Sequence, residues 1–154
     1  QQSVTNTSGT GITIQGASGG AWPVNAASGN DNYGIVVGSG QTAGNTPLPS
    51  TSALAAQVPA GINSGQIEYG AVSVSSVSTS GQTTSFTITR SFTNVSGATL
   101  TVTEIGLIAL LTEWNMGAYA SGTYFLIAYD IPSSAISVQN GQTLTITYTF
   151  SVTT

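Results

Sequence analysis

Residues 143–154 read TLTITYTFSVTT. Leu144, Ile146, Tyr148, Phe150 and Val152 share one parity, and Thr145, Thr147, Thr149, Ser151 and Thr153 share the other. Side chains on a β-strand alternate between two faces, whereas a helix would scatter these residues around its circumference. The stretch therefore predicts a half-buried strand with one apolar face and one hydroxylated face. The polar face carries no charge, and much of the chain upstream repeats the pattern.

Residues 84–93 place Phe86, Ile88 and Phe92 on one face and Thr87, Thr89 and Ser91 on the other. Residues 33–38, 124–130 and 135–138 read as short strands. Residues 66–77 read as a longer strand whose parity shifts at Gly70, the mark of a bulge. The 94–97 stretch and Asn140-Gly141 read as hairpin turns, joining 84–93 to 99–111 and 135–138 to 143–154. A Pro/Gly/Ser/Thr loop at 41–52 leads into SALAAQV, which Ser52 can cap as a brief helix ending before Pro59. Seven or eight strands separated by turns predict an all-β fold. The expected form is an antiparallel β-sandwich, Ig-like or jelly-roll-like, over residues 34–154.

Residues 1–33 read as an N-terminal arm. Val4, Ile12, Ile14, Trp22 and Val24 share one parity, so a single extended strand could present all five to one groove. The alternative is a flexible N-terminus with one short strand at 11–15.

Only 4% of the 154 residues are charged, against about 25% in ordinary soluble domains. Ser, Thr, Gly, Asn and Gln take the place of the charges. Arg90 is the single cation, with no Lys or His. A nucleic-acid partner is excluded for want of a basic stripe, and attachment to anionic lipid fails for the same reason. No apolar run is long enough to insert across a bilayer; the oiliest, GLIALL at 106–111, is far too short. Few carboxylates and no His also predict a stability that varies little with pH.

Reactive chemistry finds little to stand on. Without His, Cys or Lys, no Ser has a customary activating base. Asp31, Glu68, Glu104, Glu113 and Asp130 are scattered, with no spacing that makes a carboxylate pair. Asp31 within Gly-Asn-Asp-Asn reads as a turn former and not as a calcium loop. The GSGQTAG stretch at 38–44 lacks the Lys and helix of a phosphate loop. No catalytic residue, metal site or cofactor is expected. Trp114, Tyr119 and Tyr124 could form a sugar-stacking patch, but glycan recognition also needs placed polar groups. Sequons at Asn6 and Asn94 permit N-glycosylation outside a cell, and a chain beginning with Gln1 fits removal of an export leader.

Two further expectations come from the strand pattern. Monomeric β-proteins guard their sheet edges with Lys, other charges, Pro or bulges, and this chain has little charge to use. Its edges are expected to be satisfied by copies of itself, with the arm as donor strand. Arg90 and Glu104 both fall on apolar parities. In a hairpin spanning 84–111 they would lie opposite each other as a buried ion pair, unless a bulge turns one to solvent.

NAASGNDNYGIVVGSG, QIEYGAVSVSSVS, FTITRSFTNVSGATLTVTEIGLIA and FLIAYDIPSSAISVQNGQTLTITYTFSV occur in this order over roughly 25–152. In this order they resemble a group of small β-rich proteins known mainly from phage and prophage genomes. Members show a YGIVVGTG-like strand, a TRxFxN…EIGL hairpin and an LIARD…NGQtLTVxY ending. Tyr129 stands where members often carry Arg. The resemblance implies a virion or tail-associated structural role. In composition the chain is also similar to subunits of archaeal surface threads and donor-strand pili. The leading expectation is a non-enzymatic subunit of an extracellular, pilus-like homopolymer. The alternatives are a virion protein and a secreted glycan-binding module.

Overall fold

The computed structural model describes residues 2–14, 22–111, 114–115, 118–119 and 122–154. Its strands in chain order are β1 (Gln2–Thr5), β2 (Gly11–Ile14), β3 (Gly34–Gly38), β4 (Glu68–Tyr69), β5 (Ser73–Val74), β6 (Ser78–Ser80) and β7 (Thr83–Thr93). There follow β8 (Leu100–Val102), β9 (Glu104–Leu111), β10 (Trp114–Asn115), β11 (Ala118–Tyr119), β12 (Thr123–Asp130), β13 (Ile136–Val138) and β14 (Thr143–Thr153). The fold is all-β, and its named strands pair antiparallel in several sheets.

β7 is the central strand of one sheet. β14 lies along one side of it in an unbroken eleven-residue register, from Thr143↔Thr93 to Thr153↔Thr83. Along its other side run β4, β5 and β6 in succession. Tyr69 faces Phe92, Ser73 faces Thr89, Val74 faces Ile88 and Ser78 faces Ser85. Each break therefore inserts one extra residue. The first bulge lies just beyond the expected Gly70, between Gly70 and Ser73, because Gly70 N still donates to Ser91 O in the β4 register, and a second lies between Val74 and Ser78. At Gly70 the chain runs so close to β7 that an added Cβ would strike Ser91 Oγ.

The second principal sheet has the order β12-β9-β3. β9 and β12 are the legs of a hairpin whose tip carries the paired β10 and β11. Beyond Thr103, β8 pairs with β13. One buried cluster joins the sheets: Ile35 and Val37 of β3, Ile88 and Phe92 of β7, and Ile105 and Leu107 of β9 all belong to it.

Three local expectations fail, each for a tertiary reason. The turns at 94–97 and Asn140-Gly141 are not hairpins, because β7 pairs with β14 and β8 with β13. Each turn instead carries the chain from one sheet to another. They brace one another: Gly141 N donates to Asn94 O at 2.6 Å, and Gly97 N to Asn140 Oδ1 at 2.8 Å.

The helix expected at 52–58 is absent. Val58 N donates to Val37 O, and Ser39 N to Ala56 O, both at 2.9 Å, so the segment runs along the free side of β3. The N–H groups of Ala55 and Ala56 go to the Glu104 carboxylate. A helix propensity of tenths of a kcal/mol per residue cannot compete with bonds to a buried charge.

The arm does not extend over 1–33. β1 and β2 fold back on each other with Val4 opposite Ile12. The reversal is driven by Asn6, whose Oδ1 accepts from Ser8 N, Ser8 Oγ and Thr10 N, with Gly9 at φ 79°. Residues 22–33 belong to the domain. Trp22 packs on Phe125 at 5.3 Å, Pro23 O accepts from Leu110 N, and Val24 lies against the core.

Candidate functional site

Among the described residues two charges are buried, on strands of different sheets. Arg90 on β7 is 1% exposed and Glu104, opening β9, is 0% exposed. Their parity marked both for the interior, as the pattern required. They do not form the expected pair: Arg90 lies opposite Ile146, and Glu104 opposite Gly38. β7 and β9 are not hydrogen-bonded neighbours, so no hairpin exists to juxtapose them.

Arg90 is satisfied by backbone carbonyls. Its Nε donates to Gly70 O at 2.7 Å, and Nη1 donates to Tyr33 O at 3.2 Å and Ile35 O at 2.9 Å. Nη2 donates to Ala27 O at 3.2 Å and to Asn30 O. A guanidinium has five N–H donors, and all five are used. The 27–35 segment is thereby wound around one side chain from a distant strand. The Tyr69 ring lies under the guanidinium, 4.7 Å from centroid to Cζ. Burial lowers the Arg90 pKa, and Tyr69, Asp31 and Tyr33 partly restore it.

Glu104 mirrors this with backbone N–H groups. Oε1 accepts from Gly40 N and Ala56 N, and Oε2 from Ala55 N and the Tyr129 hydroxyl, all at 2.8 Å. Burial alone would raise its pKa. The Ala56 and Ala55 N–H groups, the Tyr129 hydroxyl and the Gly40 N–H outweigh that and hold it below the ordinary carboxylate value. Burial and the neighbouring carboxylate push Tyr129 up to about 12. The approach is too close for side chains: a Cβ on Gly38 would lie 2.6 Å from Glu104 Oε1. Gly38 of YGIVVGSG thus makes room for a carboxylate 66 residues downstream. Every oxygen lone pair of Glu104 has a donor, so this carboxylate is a structural clasp with no free acceptor for a substrate.

The remaining expected residues fall as follows. Asp31 accepts from Ala60 N at 2.8 Å, a tertiary bond, while the local turn bond is made by Asn30, whose Oδ1 accepts from Asn32 N at 2.9 Å. Glu68 and Asp130 are exposed, and Glu113 lies outside the described residues. No group of three metal-ligating side chains occurs among the described residues. Tyr124 stacks on Tyr33 at 6.4 Å; Trp114 and Tyr119 pair through their backbones, and their side chains lie outside the described residues.

Asn94 is fully buried, and its amide donates to Ala98 O and Val138 O at 2.8 and 2.7 Å. Its nitrogen is inaccessible in the folded protein, so the second sequon is a structural turn. Both Asn-x-Ser triplets have the same internal geometry, with the Asn Oδ1 accepting from the Ser N–H and hydroxyl. That spacing is the signature of an Asx-turn, which explains the motif without glycosylation.

Of the five residues expected on a donor strand, Val4 and Ile12 oppose each other in the β1–β2 hairpin, while Ile14 lies opposite Gln2. Trp22 and Val24 pack within their own domain.

The outward row of β7 and β14 is hydroxylated throughout. Thr93, Ser91, Thr89, Thr87, Ser85 and Thr83 face Thr143, Thr145, Thr147, Thr149, Ser151 and Thr153. The Thr93–Thr143, Thr89–Thr147 and Thr83–Thr153 hydroxyls meet at 3.0 Å. Comparison with family models, curated proteins and solved structures finds no match for the chain.

Proposed function

We propose that this chain is a non-enzymatic structural subunit that assembles with copies of itself into an extracellular filament. Its two principal sheets form the layers of a β-sandwich, and its N-terminal hairpin is the element offered to a neighbour. The observation that carries this reading is the standing of that hairpin. Val4 and Ile12 share one of its faces but are absent from the core cluster. Among the described residues its backbone bond to the body is Thr7 N to Tyr124 O, at 2.9 Å. A two-stranded hairpin is marginal by itself, and burying one aliphatic side chain is worth about 1.5–3 kcal/mol. A groove on a second subunit would supply that burial.

Deletion of residues 1–21 tests this, since the residues from Trp22 onward are part of the fold. The full chain should form threads visible by negative-stain microscopy. The truncated chain should keep its melting temperature and sediment as small species. Unchanged polymers after the deletion would rule out the hairpin as connector. The ordered motifs favour a second reading, a virion component, which the same images would reveal as tails or capsids.

A further inference from the structure

The sheet edges of this protein are not alike. The edge formed by β4, β5 and β6 is broken by two bulges. β12 carries a register shift between Leu126 and Ala128 and ends in Asp130. The free side of β3 is covered by 56–58. β8 and β13 are three residues each. Among the described edge strands β14 alone is long, unbroken and uncharged, and contains no Pro. Among the described residues no strand pairs with its outer side.

The phase of that edge follows from two flanking bonds. Thr154 N donates to Gln82 O, and Asn94 N donates to Gln142 O. Both pairs continue the β7–β14 register, and both use even-numbered residues of the C-terminal strand. Hydrogen-bonded pairs alternate along an antiparallel ladder. Even-numbered residues of β14 therefore bond to β7, and the odd-numbered ones, all Thr or Ser, turn their N–H and C=O groups outward.

We propose that the outer edge of β14 pairs antiparallel with β14 of a second copy, about a two-fold axis at Tyr148. In that register Thr147 faces Thr149 of the other copy, Thr145 faces Ser151, and Thr143 faces Thr153. Each pair joins residues whose backbone groups point outward, so all of those groups find partners. Side-chain parity is kept as well: hydroxyls continue the hydroxyl row, and Val152, 66% exposed in one subunit, comes beside Leu144 of the other. No charge opposes the approach. Charge, Pro or bulges on the edge would prevent it, and β14 has none of them. A two-fold contact of this kind closes on itself. It is therefore a second contact, distinct from the one assigned to the N-terminal hairpin, and it stands or falls without the filament reading.

The test uses the full chain and measures mass in solution by sedimentation equilibrium after truncation of residues 1–21 and, separately, with the N-terminus intact. Thr149→Pro removes an outward N–H that β7 does not use. Thr147→Lys places charge at the centre of the contact, and Thr87→Lys places the same charge on β7, away from the edge. In the chain lacking residues 1–21 the expected result is a species of twice the truncated chain's mass for the parent and for Thr87→Lys. Thr149→Pro and Thr147→Lys should be monomeric with an unchanged circular-dichroism spectrum. The chain has no cysteine, so mixing Thr147→Cys with Thr149→Cys protein should give a disulfide-linked pair under mild oxidation. A monomeric truncated parent, or dimers that survive both edge variants, would overturn the pairing. Filaments that persist in the edge variants would leave the filament reading intact. Dimers without filaments in the intact chain would remove that reading and keep the pairing.

Discussion

The β7–β14 ribbon is built in two different ways along its length. Toward Arg90 and Phe92 it is sealed: Ile88, Arg90 and Phe92 are 3%, 1% and 0% exposed. There the guanidinium gathers carbonyls from 27–35 and from Gly70. Toward Thr83 and Thr153 the ribbon is open. It is held by the stacked Phe86 and Phe150 rings, 5.2 Å apart, and by hydroxyl pairs across the strands. The sealed half depends on contacts far apart in the chain, whereas the open half depends on residues directly opposite one another. In a protein with so little charge, the buried ions organise the tertiary structure and the hydroxyls keep the surface wet.

The largest expected effect tests the sealed half. Arg90→Met strands five carbonyls at once, that of Ile35 buried and the other four part-buried, and each orphaned polar group costs about 1–3 kcal/mol. The loss should exceed about 4 kcal/mol, which places it among the exceptional substitutions. Urea unfolding would measure it, and a loss under about 1 kcal/mol would show that the carbonyls reach water instead.

Glu104→Gln should cost about 2–3 kcal/mol, since a neutral amide accepts more weakly and turns an N–H toward N–H donors. The two charges share no hydrogen-bond partner. Arg90→Lys and Glu104→Gln are therefore expected to add within about 0.5 kcal/mol. Recovery in the double mutant would contradict two separate nests and restore the direct pair.

Tyr129→Phe should cost about 1–2 kcal/mol by removing one bond to a charged acceptor. Tyr129→Arg should recover much of it, because a guanidinium at this position would meet the Glu104 carboxylate. A larger loss for Arg than for Phe would show that the site admits only a neutral donor.

The expectation of near-constant stability with pH now has limits. Glu104 has a lowered pKa in the fold, so its contribution is complete above the ordinary carboxylate range. It is lost as pH falls through the folded value. Tyr129, pushed up to about 12, acts in the opposite sense. Its contribution is complete below the ordinary tyrosine value of about 10 and fades as pH rises toward the folded one. Melting temperature should be flat between these limits and fall outside them. Glu104→Gln should flatten the acid limb, and an acid limb that survives the substitution would assign it to another carboxylate.

The smallest effect belongs to the open half. Thr83→Ala and Thr153→Ala each remove one exposed hydroxyl of a cross-strand pair, and should cost under about 0.5 kcal/mol by calorimetry. A loss as large as that of Tyr129→Phe would erase the distinction between the halves.

What could be read from the residues divides along the same line. The alternation of β7 and β14, the bulge just beyond Gly70 and the burial of Arg90 and Glu104 all follow from side-chain parity. Parity is a property of the local backbone, so a sequence displays it directly. The helix at 52–58, the two hairpins and the Arg90–Glu104 pair were misread because each depended on which strand lies beside which.

The amino-acid sequence by itself determined that the chain is β-structured, which face of each long strand turns inward, and that two charges go with that face. Only the tertiary structure decided their partners. A buried charge must be matched by nearby dipoles, and a sequence does not say which distant backbone will be nearby. Here Ala55, Ala56 and Gly40 face a carboxylate, and Ala27, Tyr33, Ile35 and Gly70 face a guanidinium. They do so through backbone groups that every residue but proline carries, so composition and motif leave no trace of the choice.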